Sequence, residues 1–302
     1  MPEDQVRGEL LDRLQALRVA ERDGMRAPHK PLLLLYALAR VQAGEPRLVA
    51  FAEAEGPLQE LLDGFGPPRP TEPRYPFWHL RTDGLWDVPA VEEFDTGPSS
   101  RRPGVTALRA AGWGGFVEEF DRALRDDPEL VRLAAHAVLD RHFEPSLHDP
   151  IASAVGLDLA AAATVAEVRK RKRDRAFRHR VLVAYEHRCA ACGWNAYLGS
   201  DAFGLEAAHV LWHTHGGPDE LDNGLCLCAL HHLALDRGAL SIDDEYRLLV
   251  SQHISGSTGV ADGLHALAGR PLGRPQPGNP PIRPDHADWH RAQVFRAPAR
   301  AA

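Results

Sequence analysis

Apolar residues recur at helical spacing from the start of the chain. Val6, Leu10, Leu14 and Leu17 predict a helix over about Asp4–Ala20. A second helix is predicted from Pro28–Pro31 to about Val41, ended by Gly44. "FAEAEGPLQELLDGF" predicts a third, broken at Gly56–Pro57, and the prolines of Gly66–Pro76 predict a loop. "FWHLRTDGLWDV" predicts two short strands around an Asp83–Gly84 turn. "GWGGFVEEFDRALRDDPELVRLAAHAVLDRHF" returns to helical patterning. Small residues and weak periodicity over Glu144–Thr164 predict a linker, set at 146–168. Beyond it, "GLEAAHVLW" predicts a strand, "HTHGGPDELDN" a loop, "GLCLC" a second strand, and a short helix then ends at Gly238. Gly269–His286 is proline-rich and irregular, and no internal repeat is present. The expected class is α+β: a mainly helical domain over 1–145 with a small β-hairpin, then a second domain over 169–302.

A chain of 302 residues is long enough for two modest cores. The longest apolar run, "PLLLLYALA", is too short to cross a bilayer, so no membrane partner is expected. No signal peptide is legible, and the expected compartment is the cytoplasm. The net charge of −7 does not advertise a polyanion binder, but it is unevenly spread. Residues 1–150 carry 18 Lys/Arg against 26 Asp/Glu, and the remainder carries 17 against 16. "RKRKRDRAFRHR", Arg169–Arg180, holds eight Lys/Arg and one acid. Local fields steer polyanions, and this run precedes a Cys/His cluster, so it is expected to hold backbone phosphates.

All four cysteines lie in the second half. Cys189-x-x-Cys192 can form a knuckle presenting two thiolates, and Cys228-x-x-His231 supplies two more N/S ligands. Together they make the donor set of a closed tetrahedral Zn²⁺ site. Cys226 would share a strand face with Cys228, but the C-x-x-H spacing selects Cys228 and leaves Cys226 as a small buried residue.

His209, Asn223, His232 and Asp236 remain. His232 and Asp236 are four apart on the short helix, hence on one face and able to share a cation such as Mg²⁺ or Mn²⁺. His213 and His215 fall in the loop, where a solvated or DNA-facing role is expected. "EAAH…GGP…NGL.LC..HH…D.G", with C-x-x-C upstream, resembles the HNH (ββα-metal) endonucleases over about Arg188–Leu240. The resemblance implies that His209 is the general base, that Asn223 holds and orients the base's loop, and that His232 and Asp236 ligate the catalytic cation. Many HNH nucleases carry a further ligand just before the base; here that residue is Ala208. Glu206 shares its strand face and is a candidate substitute, a surface or ion-pair role being the alternative.

In the first half, Pro31 suits a helix start, which places His29 and Lys30 at the positive end of the helix dipole. Tyr75, Pro76, Phe77, Trp78 and His79 cluster after the proline-rich loop, where core packing accounts for some of the aromatics. "HKPLLLLYAL", "YPFWHLR.DGLW" and "SRRP" together resemble the sulfur-binding domain that is joined to HNH nucleases in restriction enzymes acting on phosphorothioated DNA. The resemblance implies that Tyr75, Pro76 and His79 line a pocket for sulfur. It also implies that His29, Lys30 and Arg101, with Arg102 a second candidate, hold the modified phosphate and nearby bases of double-stranded DNA. A non-bridging sulfur is softer and less hydrated than oxygen, so an apolar pocket penalises the unmodified phosphate.

Three functions follow. One is a modification-dependent restriction endonuclease reading phosphorothioate. Another is an HNH endonuclease reading a different modification, such as methylcytosine. The third is a non-catalytic, zinc-stabilised DNA-binding regulator, which leaves His209, Asn223, His232 and Asp236 unexplained as a set. A single centre cuts one strand per encounter, so a homodimer is expected for a duplex break.

Overall fold

The computed structural model describes residues 3–19, 28–67, 70–89, 94, 103–159, 176–199 and 201–301. The chain divides into two compact units, residues 1–161 and 162–302. No helix among the described residues is long and apolar enough to cross a membrane.

The first unit is built around one helix. In order, its elements are α1 (Glu3–Gln15), α2 (His29–Gln42), β1 (Val49–Ala50), α3 (Phe51–Phe65), α4 (Arg74–His79), β2 (Trp86–Asp87), α5 (Val105–Ala111), β3 (Trp113–Phe116), α6 (Glu118–Asp126), α7 (Pro128–His142) and α8 (Pro145–Val155). Leu32, Leu33, Leu34, Leu35 and Leu38 of α2 are all fully buried. A helix apolar all round needs neighbours on every side, and α2 packs against α3, α4, α6, α7 and α8. Each buried leucine contributes roughly 1.5–3 kcal/mol, and the same packing fixes the N-terminus of α2 beside α4.

Four expectations are corrected here. Helix α3 runs unbroken through Gly56–Pro57. Proline forfeits one backbone bond, but Phe51, Ala54, Leu58, Leu61, Leu62 and Phe65 all bury on one side and carry the helix through. The Asp83–Gly84 hairpin does not form. Residues Arg74–His79 are α4, Leu80–Asp83 a 3₁₀ turn, and Gly84 ends it in the left-handed region at φ 69°. The loop before α4 therefore stops short of Arg74. "WGGF" is a strand, not helix: β3 is the middle of a three-stranded sheet in the order β1-β3-β2. A Cβ on Gly114 would come within 2.6 Å of Trp86 and 2.8 Å of Phe77, so glycine lets the sheet close on those rings. Finally, residues 146–155 of the expected linker are helical, in α8, whose Leu147, Ile151 and Ala152 are buried. These apolar side chains pack α8 onto α2, α3 and α7, so the first unit extends past residue 145.

In the second unit, residues 176–184 are helical (α9). There follow β4 (Tyr197–Leu198), β5 (Asp201–Ala202), β6 (Leu205–His209), β7 (Gly224–Cys228), α10 (Ala229–Asp236), β8 (Leu240–Ile242), β9 (Leu248–Val250), α11 (Thr258–Gly263) and α12 (Pro284–Gln293). Strands β6 and β7 pair antiparallel from Leu205↔Cys228 to His209↔Gly224, and α10 packs on both. Strand, loop, strand and helix thus fall in the expected order. Phe177, Val181 and Leu182 of α9, and Tyr185 just after it, belong to the same core as Leu205, Ala208, Leu225 and Leu235.

Candidate active site and DNA-reading face

Cys189 opens a tight turn closed by Gly193 N–H to the Cys189 carbonyl at 2.8 Å, with Gly193 at φ 80°. Ala190 N–H donates to the Cys226 carbonyl at 2.8 Å, which ties the turn to β7. Cys228 ends β7 and His231 lies in the first turn of α10. One donor atom each from Cys189, Cys192, Cys228 and His231 falls within 4.8 Å of the others. The His231 Nδ1 stands 3.2 Å from Cys228 Sγ and 3.6 Å from Cys189 Sγ, while Nε2–H donates to the Gly263 carbonyl at 3.0 Å. That bond fixes the ring with Nδ1 turned to the sulfurs. Hydrogen bonding from Cys228, with His231 adding to it, pulls the Cys189 thiol down to about 3. Three sulfurs and an imidazole nitrogen this close suit one soft cation. Cys226 stands outside the group: it is buried, and burial pushes its thiol up to about 12.

His209 ends β6. Opposite it is Gly224, where a Cβ would meet Val181 at 2.5 Å and Phe177 at 3.0 Å. The missing side chain admits Phe177, whose ring stacks on the His209 imidazole with centroids 4.2 Å apart. His209 Nε2 lies 2.9 Å from Asp219 Oδ1, and His213 Nδ1 lies 3.6 Å from the same oxygen. Burial lowers the His209 pKa, and the Asp219 contact only partly opposes it.

Asn223 is 0% exposed. Its Oδ1 accepts from Leu211 N–H at 2.8 Å, and its Nδ2 donates to the Leu211 and Pro218 carbonyls at 2.9 and 3.0 Å. One side chain therefore pins both ends of the loop after His209. A Cβ on Gly217 would sit 1.8 Å from the Leu211 carbonyl oxygen, so the close turn requires glycine there.

His232 is held on both sides. Its Nε2 is 3.1 Å from Asp236 Oδ2 and its Nδ1 is 2.6 Å from Glu206 Oε2. The Asp236 side chain is 1% exposed and the Glu206 side chain 47%. Burial alone would lower the His232 pKa, but the two carboxylates outweigh it and push it up to about 10. His232 and Asp236 thus meet as a hydrogen-bonded pair. The His/Asp group whose donor atoms all lie within 4.8 Å, among the described residues, is instead His209, His213 and Asp219. Sequence reasoning did not single out Asp219. It is one of three acids in "GGPDELDN", and spacing alone does not tell which turns towards the histidine.

The basic run does not present all its charge outward. Arg178 donates to the Leu205 carbonyl at 2.8 Å and Arg180 to the Asp219 carbonyl at 2.5 Å, so both brace the site's own backbone. Residues 169–175 lie outside those described.

In the first unit, Tyr75, Pro76 and His79 all stand on α4, at helical spacings that put them on one side. Tyr75 and His79 are half-buried; Pro76 is buried, as are Phe77 and Trp78, which belong to the core. His29 Nε2 lies 3.2 Å from Thr71 Oγ1 in the loop before α4. Lys30 Nζ lies 2.5 Å from Asp83 Oδ2, with side chains 17% and 7% exposed. The anion at the start of α2 is thus an internal carboxylate. Arg101 and Arg102 lie outside the described residues.

Comparisons with known proteins match both units. Residues 7–160 match the family described as ScoMcrA-like, DNA sulfur-binding domain, and residues 189–243 match HNH endonuclease. Among solved structures, the chain is similar to the sulfur-binding domain of ScoMcrA complexed with phosphorothioated DNA. The identity is 30%, covering 50% of this chain and 98% of that one, with a TM-score of 0.44. A structure of the ScoMcrA sulfur-binding and SRA domains with phosphorothioated DNA gives 31% identity, 51% and 48% coverage, and a TM-score of 0.46. The type IV phosphorothioation-dependent restriction endonuclease ScoMcrA gives 28% identity, 47% and 28% coverage, and a TM-score of 0.41. No curated protein matches. The chain belongs to the ScoMcrA-like DNA sulfur-binding domain family, with an HNH endonuclease domain joined to it.

Proposed function

We propose that the first unit reads phosphorothioated double-stranded DNA and the second hydrolyses a phosphodiester bond. The observation that carries this is the pairing of a sulfur-binding domain over residues 7–160 with a ββα site whose His209, Asn223 and His232 stand on strand end, loop and helix. The Cys189, Cys192, Cys228 and His231 donors suit structural Zn²⁺. Mg²⁺ or Mn²⁺ is the working cation; when bound, it offsets charge on the phosphate and the departing 3′ oxygen.

The chain's own residues supply the rest. Asp219 takes the Nε2–H of His209, which leaves the Nδ1 lone pair to accept a proton from the attacking water. The water oxygen bonds to phosphorus as the bond from phosphorus to the 3′ oxygen breaks. Asn223 keeps the loop, and with it Asp219, in place behind the base. His232 and Asp236, in contact at 3.1 Å on one side of α10, would together hold the cation. In the first unit, the α4 face of Tyr75, Pro76 and His79 receives sulfur, with His29, Lys30, Arg101 and Arg102 around the phosphate. Two copies acting together make the duplex break.

The deciding experiment uses matched plasmids with and without phosphorothioate, incubated with Mg²⁺ or Mn²⁺. Cleavage of the modified plasmid alone is expected. Cutting both alike would favour a reader of another modification, and binding without cutting would favour a regulator. The 4.8 Å grouping of His209, His213 and Asp219 favours a second reading, in which these three hold the cation. Mn²⁺ titration separates the two: Asp236→Asn weakens binding under the first reading, His213→Ala under the second.

A further inference from the structure

The HNH match ends at residue 243, yet the chain continues through α12, and one side of that helix touches both halves of the site. Towards the loop, His286 Nδ1–H donates to the Asp222 carbonyl at 3.2 Å, and Arg283 N–H donates to the same oxygen at 2.9 Å. Trp289 sets its ring 5.9 Å from Trp212 and 5.5 Å from His215. Towards α10, His290 Nε2–H donates to the Leu235 carbonyl at 3.1 Å, and Ser241 Oγ–H donates to His290 Nδ1 at 2.9 Å. His290 is 1% exposed. Leu235 is the residue before Asp236, and its carbonyl, among the last four of α10, accepts from Gly238 N–H at 2.9 Å as well as from His290. Just beyond, Arg296 N–H donates to the Gly238 carbonyl at 2.9 Å, and a Cβ on Gly238 would sit 2.0 Å from the Val294 carbonyl oxygen. Residues 286, 289 and 290 are three and four apart, hence one side of one helix. Asn223 and Asp219 stand on the loop it touches, and His232 and Asp236 on the helix.

We propose that α12 is a positioning element of the nuclease site, registering the loop Trp212–Asn223 against α10, with His290 the positioning residue at the end of α10. This rests on the proposed hydrolytic role of His209, His232 and Asp236. The physical reason is that these side chains come from different elements, His209 from the end of a strand and His232 and Asp236 from the helix packed on it. Small relative shifts of groups that must act on one phosphate are costly, on the order of a hundredfold in rate for ~1 Å. A buried imidazole that both donates and accepts fixes one such distance.

The test uses the full chain with two substitutions. His290→Leu keeps volume and removes both hydrogen bonds; His290→Gln keeps a donor and an acceptor. On a phosphorothioated duplex, His290→Leu is expected to lower kcat about tenfold or more with KM, duplex affinity and zinc content unchanged, and His290→Gln to restore most of the rate. Hydrogen exchange supplies a readout independent of cleavage. His290→Leu should speed exchange in 229–239 and 211–223 while leaving 197–208 unaffected. Wild-type kcat in His290→Leu, failure of His290→Gln to restore it, or faster exchange confined to α12 would overturn the proposal. If His290→Leu does not fold, Trp289→Leu tests the loop side, and a wild-type kcat there overturns it equally. A wild-type chain that cuts nothing would instead sink the functional reading, and the exchange pattern would still decide whether α12 couples loop and helix.

Discussion

The imidazole of His209 lies flat on the ring of Phe177, with planes 14° apart. Phe177 comes from the basic helix α9, and only glycine at 224 lets it approach. The stack fixes the plane of the imidazole and covers one of its faces. Aromatic pairs contribute about 0.5–1.5 kcal/mol beyond burial. Phe177→Leu should therefore lower single-turnover cleavage roughly two- to tenfold, Phe177→Tyr much less, and neither should change affinity for modified duplex.

Asn223→Ala leaves the Leu211 amide and the Leu211 and Pro218 carbonyls without their partner. Unsatisfied buried groups cost about 1–3 kcal/mol each. Thermal denaturation should show the second unit destabilised by roughly 3 kcal/mol or more, with cleavage lost even under conditions where the unit remains folded.

His232 carries a pH signature. Its folded pKa is raised to about 10 by Asp236 and Glu206, against an ordinary value of 6.5. A raised histidine stabilises the fold fully below the unfolded value and loses that contribution as pH rises through the folded one. Without added Mg²⁺ or Mn²⁺, the second unit should lose stability between about pH 6.5 and 10. His232→Gln should flatten that slope in denaturant titrations, and an unchanged slope would assign it to other groups.

Chelation should act on one unit. Cys189, Cys192, Cys228 and His231 join the knuckle, β7 and α10. Removing the bound cation breaks the tie between them and should unfold the second unit, while the first keeps its affinity for phosphorothioated duplex. Circular dichroism and fluorescence anisotropy on one chelated sample check both halves; retained α10 structure would argue against a structural ion.

Lys30 is held by Asp83, a carboxylate only 7% exposed. Asp83→Asn should release its charge at the start of α2 and raise affinity for unmodified DNA, narrowing the preference for sulfur. Equal affinity of variant and wild type for unmodified duplex, measured at several salt concentrations, would show that the carboxylate does not moderate phosphate binding.

The sequence by itself determined the grouping of Cys189, Cys192, Cys228 and His231, the strand-loop-strand-helix order, and the places of His209, Asn223 and His232 at strand end, loop and helix. These depend on local spacing: two thiolates in a turn, one face of a short helix, a strand on each side of a glycine-rich loop. It also marked Tyr75, Pro76 and His79 together, although with the first two in a loop and His79 on a strand where α4 stands. Tertiary structure decided the rest. Trp86 pairs with Phe116 rather than across a local turn, and α8 stays with the first unit because its apolar side has a surface to cover. Only folding brought Asp219 to His209, Glu206 to His232, and α12 onto both loop and α10. Each of these contacts joins residues whose separation along the chain follows no period, and their energy exists only once the intervening backbone is already placed.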